Sequence, residues 1–347
     1  MRSGTFFESY GQAEGLRPYP LQKLRLLLFA AALLAFPFFA TPYWLNLANQ
    51  IAIATVGALG LNLLVGYTGQ ISLGQGAFLA IGAYASGIFT LRLGLPWWLS
   101  IPVAGLVAAA AGVVIGLPSL RLKGLYLAIA TLAAQQITEW GITHWTGLTG
   151  GTEALVIEAP RLFGARMNRD FSFYWIAVGA AALTALFVAN LMRSRVGRSF
   201  VAVRDQDIAA GALGVNVFQT KLLAFATSSF LVGVTGALIA QYRTIITWER
   251  FTLETSITYL AMIIVGGLGT INGSFFGAAL IVLLPALITT VGQSLQQASP
   301  QLATVLPFIQ QGAFGLIIIL FLVLEPEGLA KLWRNVKDSA RVWPFSY

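Results

Sequence analysis

The sequence predicts an all-α fold, a polytopic membrane bundle of about ten transmembrane helices with both termini in the cytoplasm. Of its 347 residues, 57% are hydrophobic and 10% are charged, whereas soluble domains carry about 25% charged residues. The mean hydropathy is +0.77. The apolar residues lie in continuous runs, many of them close to the roughly 20 residues that cross a bilayer as a helix. These observations exclude a soluble globule and a disordered chain, and they argue against a β-barrel, whose strands alternate in polarity.

Ten apolar runs carry this prediction, three of them short or interrupted by glycine, so that nine to eleven spans fit the pattern. In chain order the runs are 24–41, 44–65, 76–91, 97–117, 122–145, 171–192, 220–242, 255–265, 274–291 and 304–324. The polar region before the first run is too long for a cleaved signal peptide, so this run is predicted to be retained. We therefore expect a tail at 1–23, a transmembrane domain at 24–324 and a second tail at 325–347.

Lysine and arginine give the orientation. With ten spans and the N-terminus inside, 15 basic residues lie on the cytoplasmic side and 6 outside, as the positive-inside rule requires. Residues 146–170 then form an external loop, and residues 193–218, called the inner loop below, form the longest cytoplasmic stretch between spans. The net charge of +8 follows from this asymmetry, and we expect no nucleic-acid partner.

The sequence offers little for catalysis. Cysteine is absent and His144 is the single histidine, so no disulfide or thiolate metal site can form and no metal centre is expected. No lysine follows a glycine, which excludes the phosphate-binding loop of ATPases. The chain is predicted not to be an enzyme and to bind no cofactor of its own.

The inner loop contains a predicted short helix. Asp205 is a suitable N-cap, Asp207 lies in the first turn, and Gly214 is a natural stop. Ile208 and Ala212 share one face. The small side chains of Ala209 and Ala210 suit close contact with another protein, although a solvated loop with one helical turn fits the same residues.

Few polar residues interrupt the spans. Glu139 is the one acid well inside a predicted span, and it shares a helix face with Gln135 and Thr143. This face either lines a substrate path or lies near the outer interface, where His144 is expected. Two small-residue pairs, Gly112 with Gly116 and Gly273 with Gly277, predict close helix packing. Two aromatic pairs, Tyr43 with Trp44 and Trp97 with Trp98, predict anchors at the outer interface.

Two glycine-rich segments, 66–76 and 266–277, weaken any continuous helix. The first contains Gln70, Ser72 and Gln75, and the second contains Thr270 and Asn272. Either these segments line a translocation path at membrane depth, or they are tight cytoplasmic turns.

Several motifs together resemble the permease subunits of branched-chain amino-acid ABC importers, and more closely the longer of the two sister permeases. The resemblance covers roughly residues 24–330 in the family's order. The similar inner-loop residues are Gly197-Arg198, Arg204-Asp205, Asp207-Ile208-Ala209-Ala210, Leu213-Gly214, Asn216 and Lys221-Leu222-x-Ala224-Phe225. Similar motifs also occupy 60–74, 120–129 and 265–270, the last followed by Gly273 and Gly277. The family often has histidine where this chain has Gln75.

The resemblance implies import of a neutral or branched-chain amino acid, or of a related solute such as urea. It implies a sister permease, two cytoplasmic ATPase subunits that hydrolyse ATP, an extracytoplasmic solute-binding protein and a prokaryotic inner membrane. The helix near Asp205–Asn216 would dock on an ATPase; the coupling residues expected are Arg204, Asp205, Asp207, Ala209, Ala210, Gly214 and Asn216. The path residues expected are Gln70, Ser72, Gln75, Gln135, Glu139, Thr270 and Asn272. The alternatives are an ion-coupled transporter that relies on Glu139, and a membrane scaffold or lipid-modifying enzyme.

Overall fold

The computed structural model describes residues 20–119, 122, 124–162, 165–166, 170–296, 302–325 and 327–342. Ten of its helices carry the ten predicted apolar runs, each run lying mainly in a helix of its own. They are α1 (Pro20–Phe39), α2 (Pro42–Thr68), α3 (Gln75–Arg92), α4 (Trp97–Ser119), α5 (Leu125–His144), α7 (Asp170–Arg193), α10 (Val217–Arg243), α11 (Leu253–Gly266), α12 (Ile271–Gln296) and α13 (Leu302–Leu324).

Four further helices lie between or after these. They are α6 (Thr146–Thr149) in the external loop, α8 (Arg195–Asp205) and α9 (Asp207–Ala212) in the inner loop, and α14 (Leu329–Val342) near the C-terminus. The predicted N-terminal tail falls largely on residues 1–19, outside the described residues, and α1 already begins at Pro20. The expected C-terminal tail is mostly helical.

Several of the helices have the length and composition of membrane spans. Within the described residues, five segments are long and apolar enough to cross a membrane: α2, α4, α7, α10 and the Ile271–Thr290 part of α12. Shorter apolar stretches occur at Ala30–Phe39, in α11 and at Gln311–Phe321. The predicted all-α, polytopic membrane fold is confirmed, while the orientation still rests on the distribution of charge.

The contacts divide the chain into two compact units, Met1–Asn46 and Leu47–Tyr347. In the second unit, α10 packs against both α3 and α4, and the Ser228 hydroxyl of α10 donates to the Gly60 carbonyl of α2 at 2.7 Å. Both predicted small-residue pairs lie at helix contacts: Gly112 lies against Ser229, and Gly277 lies against the Met262 carbonyl. A side chain at either glycine would overlap these atoms, so the predicted close packing is confirmed.

The external loop is ordered by short strand pairs. Leu155–Val156 (β1) pairs antiparallel with Ile245–Ile246 (β4), and Arg161–Leu162 (β2) pairs with Ala165–Arg166 (β3). The Trp97 indole donates to the Arg161 carbonyl at 3.0 Å. Of the predicted anchors, Trp44 and Trp98 are about half exposed, as lipid-facing rings require.

Replacement of Gly277 by leucine should destabilise the bundle. The added side chain would overlap the backbone of α11, which cannot move aside as a flexible side chain can, and overpacking of this kind costs about 1–3 kcal/mol or more. The measurement is the melting temperature of the detergent-purified protein. Gly179→Leu is the matched control, because the space around Gly179 is open. Equal melting temperatures for the two variants would contradict the packing described here.

Candidate functional site

The inner loop begins with a capped helix. The Ser194 side chain accepts from the Gly197 N–H and caps α8. Asp205 was expected to cap the following helix, and this prediction is wrong: Asp205 ends α8, and Gln206 precedes α9. Asp205 instead pairs with Arg204 at 2.9 Å. Asp207 lies in the first turn of α9 as expected.

Gly214 ends α9 in a Schellman arrangement. Its φ of +88° is one that residues with a Cβ rarely adopt. The Gly214 N–H donates to the Gly211 carbonyl, and the Val215 N–H donates to the Ala210 carbonyl, both at 3.0 Å. The Asn216 side chain then accepts from the Gln219 N–H at 3.0 Å and caps α10. Gly214 and Asn216 thus define the end of α9 and the start of the next span.

The two alanines of α9 point in different directions. Ala209 is exposed, whereas Ala210 is 3% exposed and faces the protein. The expectation that both contribute to one docking face is therefore corrected, since the packing of α9 turns Ala210 inward. Ile208 and Leu213 are 78% and 86% exposed. An ion pair of 3.2 Å between Asp207 and Lys221 holds α9 against α10.

The first glycine-rich connection, residues 69–74, joins α2 to α3, and its polar side chains turn inward. Gln70, Ser72 and Gln75 are each at most 3% exposed. The Gln70 amide donates to the Thr68 hydroxyl and to the Lys221 carbonyl, at 3.0 and 3.3 Å. The Gln75 amide donates to the Gly57 carbonyl at 3.3 Å. The connection is therefore tied to α10 by Gln70, one of the predicted path residues.

The second glycine-rich connection, residues 267–270, joins α11 to α12 and is held by Asn62 of α2. The Asn62 amide nitrogen donates to the Thr270 carbonyl at 2.8 Å and to the Ser274 hydroxyl at 2.9 Å. The Asn62 oxygen accepts from the Gly269 N–H at 2.8 Å. Asn272, another predicted path residue, is exposed instead.

Arg204 lies where both connections approach the inner loop. Its guanidinium donates to the Gly66 carbonyl at 3.2 Å, and the same group lies against Gly269. Gly66 has no space for a side chain, because the Asn62 oxygen and the Gly269 backbone occupy it. Both connections thus join consecutive helices and lie against Arg204 of the inner loop.

A pocket of about 310 Å³ opens between the inner loop and the first connection. Its lining includes Gln70 of the first connection and Lys221 of α10. It also includes four residues of the inner loop, which are Arg204, Asp205, Asp207 and Ile208. The Gln70 amide oxygen has no hydrogen-bond partner among the described residues.

The predicted polar face of α5 is only partly buried. The Gln135 amide donates to the Phe251 carbonyl at 2.5 Å and lies beside Gly76 at the start of α3. Glu139 is half-buried. His144 stacks on Trp140 with ring centroids 4.6 Å apart and is exposed, as an interfacial residue should be. Within the described ranges no group of three or more His, Asp and Glu residues is placed to hold a metal.

Asn62, Ser228, Ser256 and Ser274 are site residues that sequence reasoning missed as functional candidates. All are buried, and all bond across helices. The signal was a polar residue inside an apolar run, which in a membrane helix marks an interhelical contact.

Comparison with known proteins identifies the family of the chain. Permease components of branched-chain amino acid transport systems match residues 43–322 as a family. The chain belongs to this permease family. It is 32% identical to the high-affinity branched-chain amino acid transport permease LivM of Salmonella typhimurium and to that of Escherichia coli, covering 90% of this chain and 76% of each relative.

A probable LivH permease of Methanocaldococcus jannaschii is 28% identical over 67% of this chain and 76% of its own length. The permease is therefore more similar to LivM than to this LivH, as the motif resemblance implied. No solved structure matches the chain. Family membership makes the protein a multi-pass membrane transport permease.

Asn62→Ala should destabilise the permease. The change leaves the Gly269 N–H without its acceptor and removes the amide donor to the Thr270 carbonyl and the Ser274 hydroxyl. An unsatisfied buried group costs about 1–3 kcal/mol. The measurement is the melting temperature in detergent, with Asn272→Ala as the control, since Asn272 is exposed. A melting temperature equal to that of the unmodified protein would contradict the bridging role of Asn62.

Proposed function

We propose that the chain is the transmembrane permease subunit of an ABC importer in a prokaryotic inner membrane. It moves neutral or branched-chain amino acids, or a related small solute such as urea, inward by alternating access. ATP is hydrolysed on two cytoplasmic ATPase subunits, a sister permease completes the pore, and an extracytoplasmic solute-binding protein delivers the solute. The observation that carries this proposal is the geometry of the inner loop around Arg204.

The exposed face of α9 is the surface that docks on an ATPase subunit. Ile208 and Leu213 are apolar and almost fully exposed, and the small Ala209 between them lets another surface approach closely. The Asp207–Lys221 ion pair and the buried Ala210 fix α9 to the body of the permease. A force on α9 therefore acts on the rest of the chain rather than bending a loose segment.

Arg204 relays this force to the helices. It lies at the end of α8, two residues before the one-residue link to α9, and it donates to the carbonyl of Gly66 and lies beside Gly269. Those glycines flank or lie in the connections between α2 and α3 and between α11 and α12. ATPase closure that moves α9 would thus bias the inward-facing and outward-facing states through different contacts in each, as coupling requires.

Ala209→Trp tests the docking face. The bulky ring would block close approach of the ATPase without disturbing the core, since Ala209 is exposed. ATP-dependent amino-acid uptake by vesicles containing the complete transporter should fall roughly tenfold or more, with membrane insertion and melting temperature unchanged. Arg195→Trp, an exposed position on α8, is the matched control and should transport normally.

Unimpaired uptake by Ala209→Trp would contradict the docking role of α9. The same vesicles given a proton or sodium gradient without ATP should show no accumulation. Gradient-driven uptake by the permease alone would favour an ion-coupled transporter and overturn the proposed function.

A further inference from the structure

The sequence of α14 is strongly amphipathic. Its apolar residues lie at positions i, i+3, i+4 and i+7, the spacing of one helix face; they are Leu329, Leu332, Trp333 and Val336. The basic residues Lys331, Arg334 and Lys337 lie outside this apolar stripe. A helix with one apolar face and a basic polar face is typical of segments that lie in a membrane interface.

The apolar face of α14 is largely uncovered. Trp333 is 56% exposed and Val336 is 62% exposed. Among the described residues, the ring contact of Trp333 is with Phe276 of α12, at 5.8 Å between centroids. An aromatic and an aliphatic side chain left in water on a regular helix face are unfavourable unless a further apolar phase covers them.

The start of α14 is held close to the end of a span. α13 ends at Leu324 and α14 begins at Leu329, and four intervening residues extend at most about 14 Å. Gly328, with a φ of +72°, packs against the backbone of Val265 and Gly267. The helix therefore starts at the membrane boundary and beside the second glycine-rich connection.

Ion pairs hold the first turns of α14 to Glu327, which precedes the helix. Glu327 pairs with Lys331 at 3.1 Å and with Arg334 at 2.9 Å. Lys331 and Arg334 lower the pKa of the Glu327 carboxyl. These contacts lie on the polar side of the helix, so the side that carries Trp333 and Val336 stays exposed.

We propose that α14 is an interfacial helix whose apolar face, Leu332, Trp333 and Val336, inserts into the leaflet at which α13 ends. The occupant is the phospholipid of the permease's own bilayer. Continuity with α13 brings the helix to that surface. Lys331, Arg334 and Lys337 outnumber Glu327, the carboxylate with which two of them pair, and this excess of positive charge suits the phosphate groups there. The proposal does not depend on ATP coupling, since it concerns α14 and not the docking face of α9.

The absence of cysteine allows a test with single spin labels. Val336→Cys places a label on the apolar face, and Asn335→Cys places one on the neighbouring, polar side; both positions are exposed. The complete transporter is reconstituted in phosphatidylcholine–phosphatidylglycerol bilayers. Power-saturation measurements then compare collisions with oxygen, which concentrates in lipid, and with a water-soluble nickel chelate.

The label at Val336 should collide several times more often with oxygen than with the nickel chelate, and the label at Asn335 should show the reverse. Equal access of the chelate to both labels would overturn the proposal, because α14 would then lie in water. Exclusion of both probes from Val336 would also overturn it, because a protein partner would then cover the face. Circular dichroism and gel filtration of each labelled protein establish that it is folded.

Discussion

The hydrogen bonds of Asn62 join α2 to the connection between α11 and α12, and the geometry of the inner face depends on them. Two bonds of 2.8 Å fix the backbone at Gly269 and Thr270 beside Gly66, and a third of 2.9 Å reaches the Ser274 hydroxyl of α12. Gly66 must lack a side chain for this approach. Only with the two backbones this close can one arginine, Arg204, reach both.

This arrangement is rigid because its polar groups are buried and paired. An amide buried in a helical bundle has no water to replace a lost partner, so its hydrogen bonds hold a defined geometry. Close-packed interiors shift between discrete arrangements rather than deforming smoothly. In the proposed mechanism, a displacement at α8 and α9 would therefore reach α2, α3, α11 and α12 together, as a change between two access states requires.

The apolar runs predicted the helices well, since a long stretch without charge in this composition has few alternatives to a buried helix. The end of α9 at Gly214 was also predictable, because glycine is the residue type that readily adopts the positive φ found after the last turn of a helix. The cap at Asp205 was wrong because a second helix, α8, precedes α9 and includes that residue. The inward turn of Ala210 depends on packing against α10, which local spacing does not encode.

Two other features needed the structure for different reasons. Asn62 lies in a motif noted in the sequence, but its partners are more than 200 residues away, and one sequence does not reveal such pairs. The amphipathic pattern of α14 is present in the sequence, but the prediction of a tail at 325–347 does not use it. The glycine-rich segments allowed two interpretations, since glycine permits both a turn and a close approach.

The number of solute molecules imported per ATP hydrolysed, measured in vesicles with the complete transporter, tests the role of Arg204 most directly. Arg204→Met removes the donors that reach Gly66 while keeping a long side chain, and Arg195→Met is the exposed control on the same helix. The account predicts that ATP hydrolysis continues in Arg204→Met while solute imported per ATP falls about tenfold. An unchanged ratio in Arg204→Met would contradict the claim that Arg204 carries the coupling.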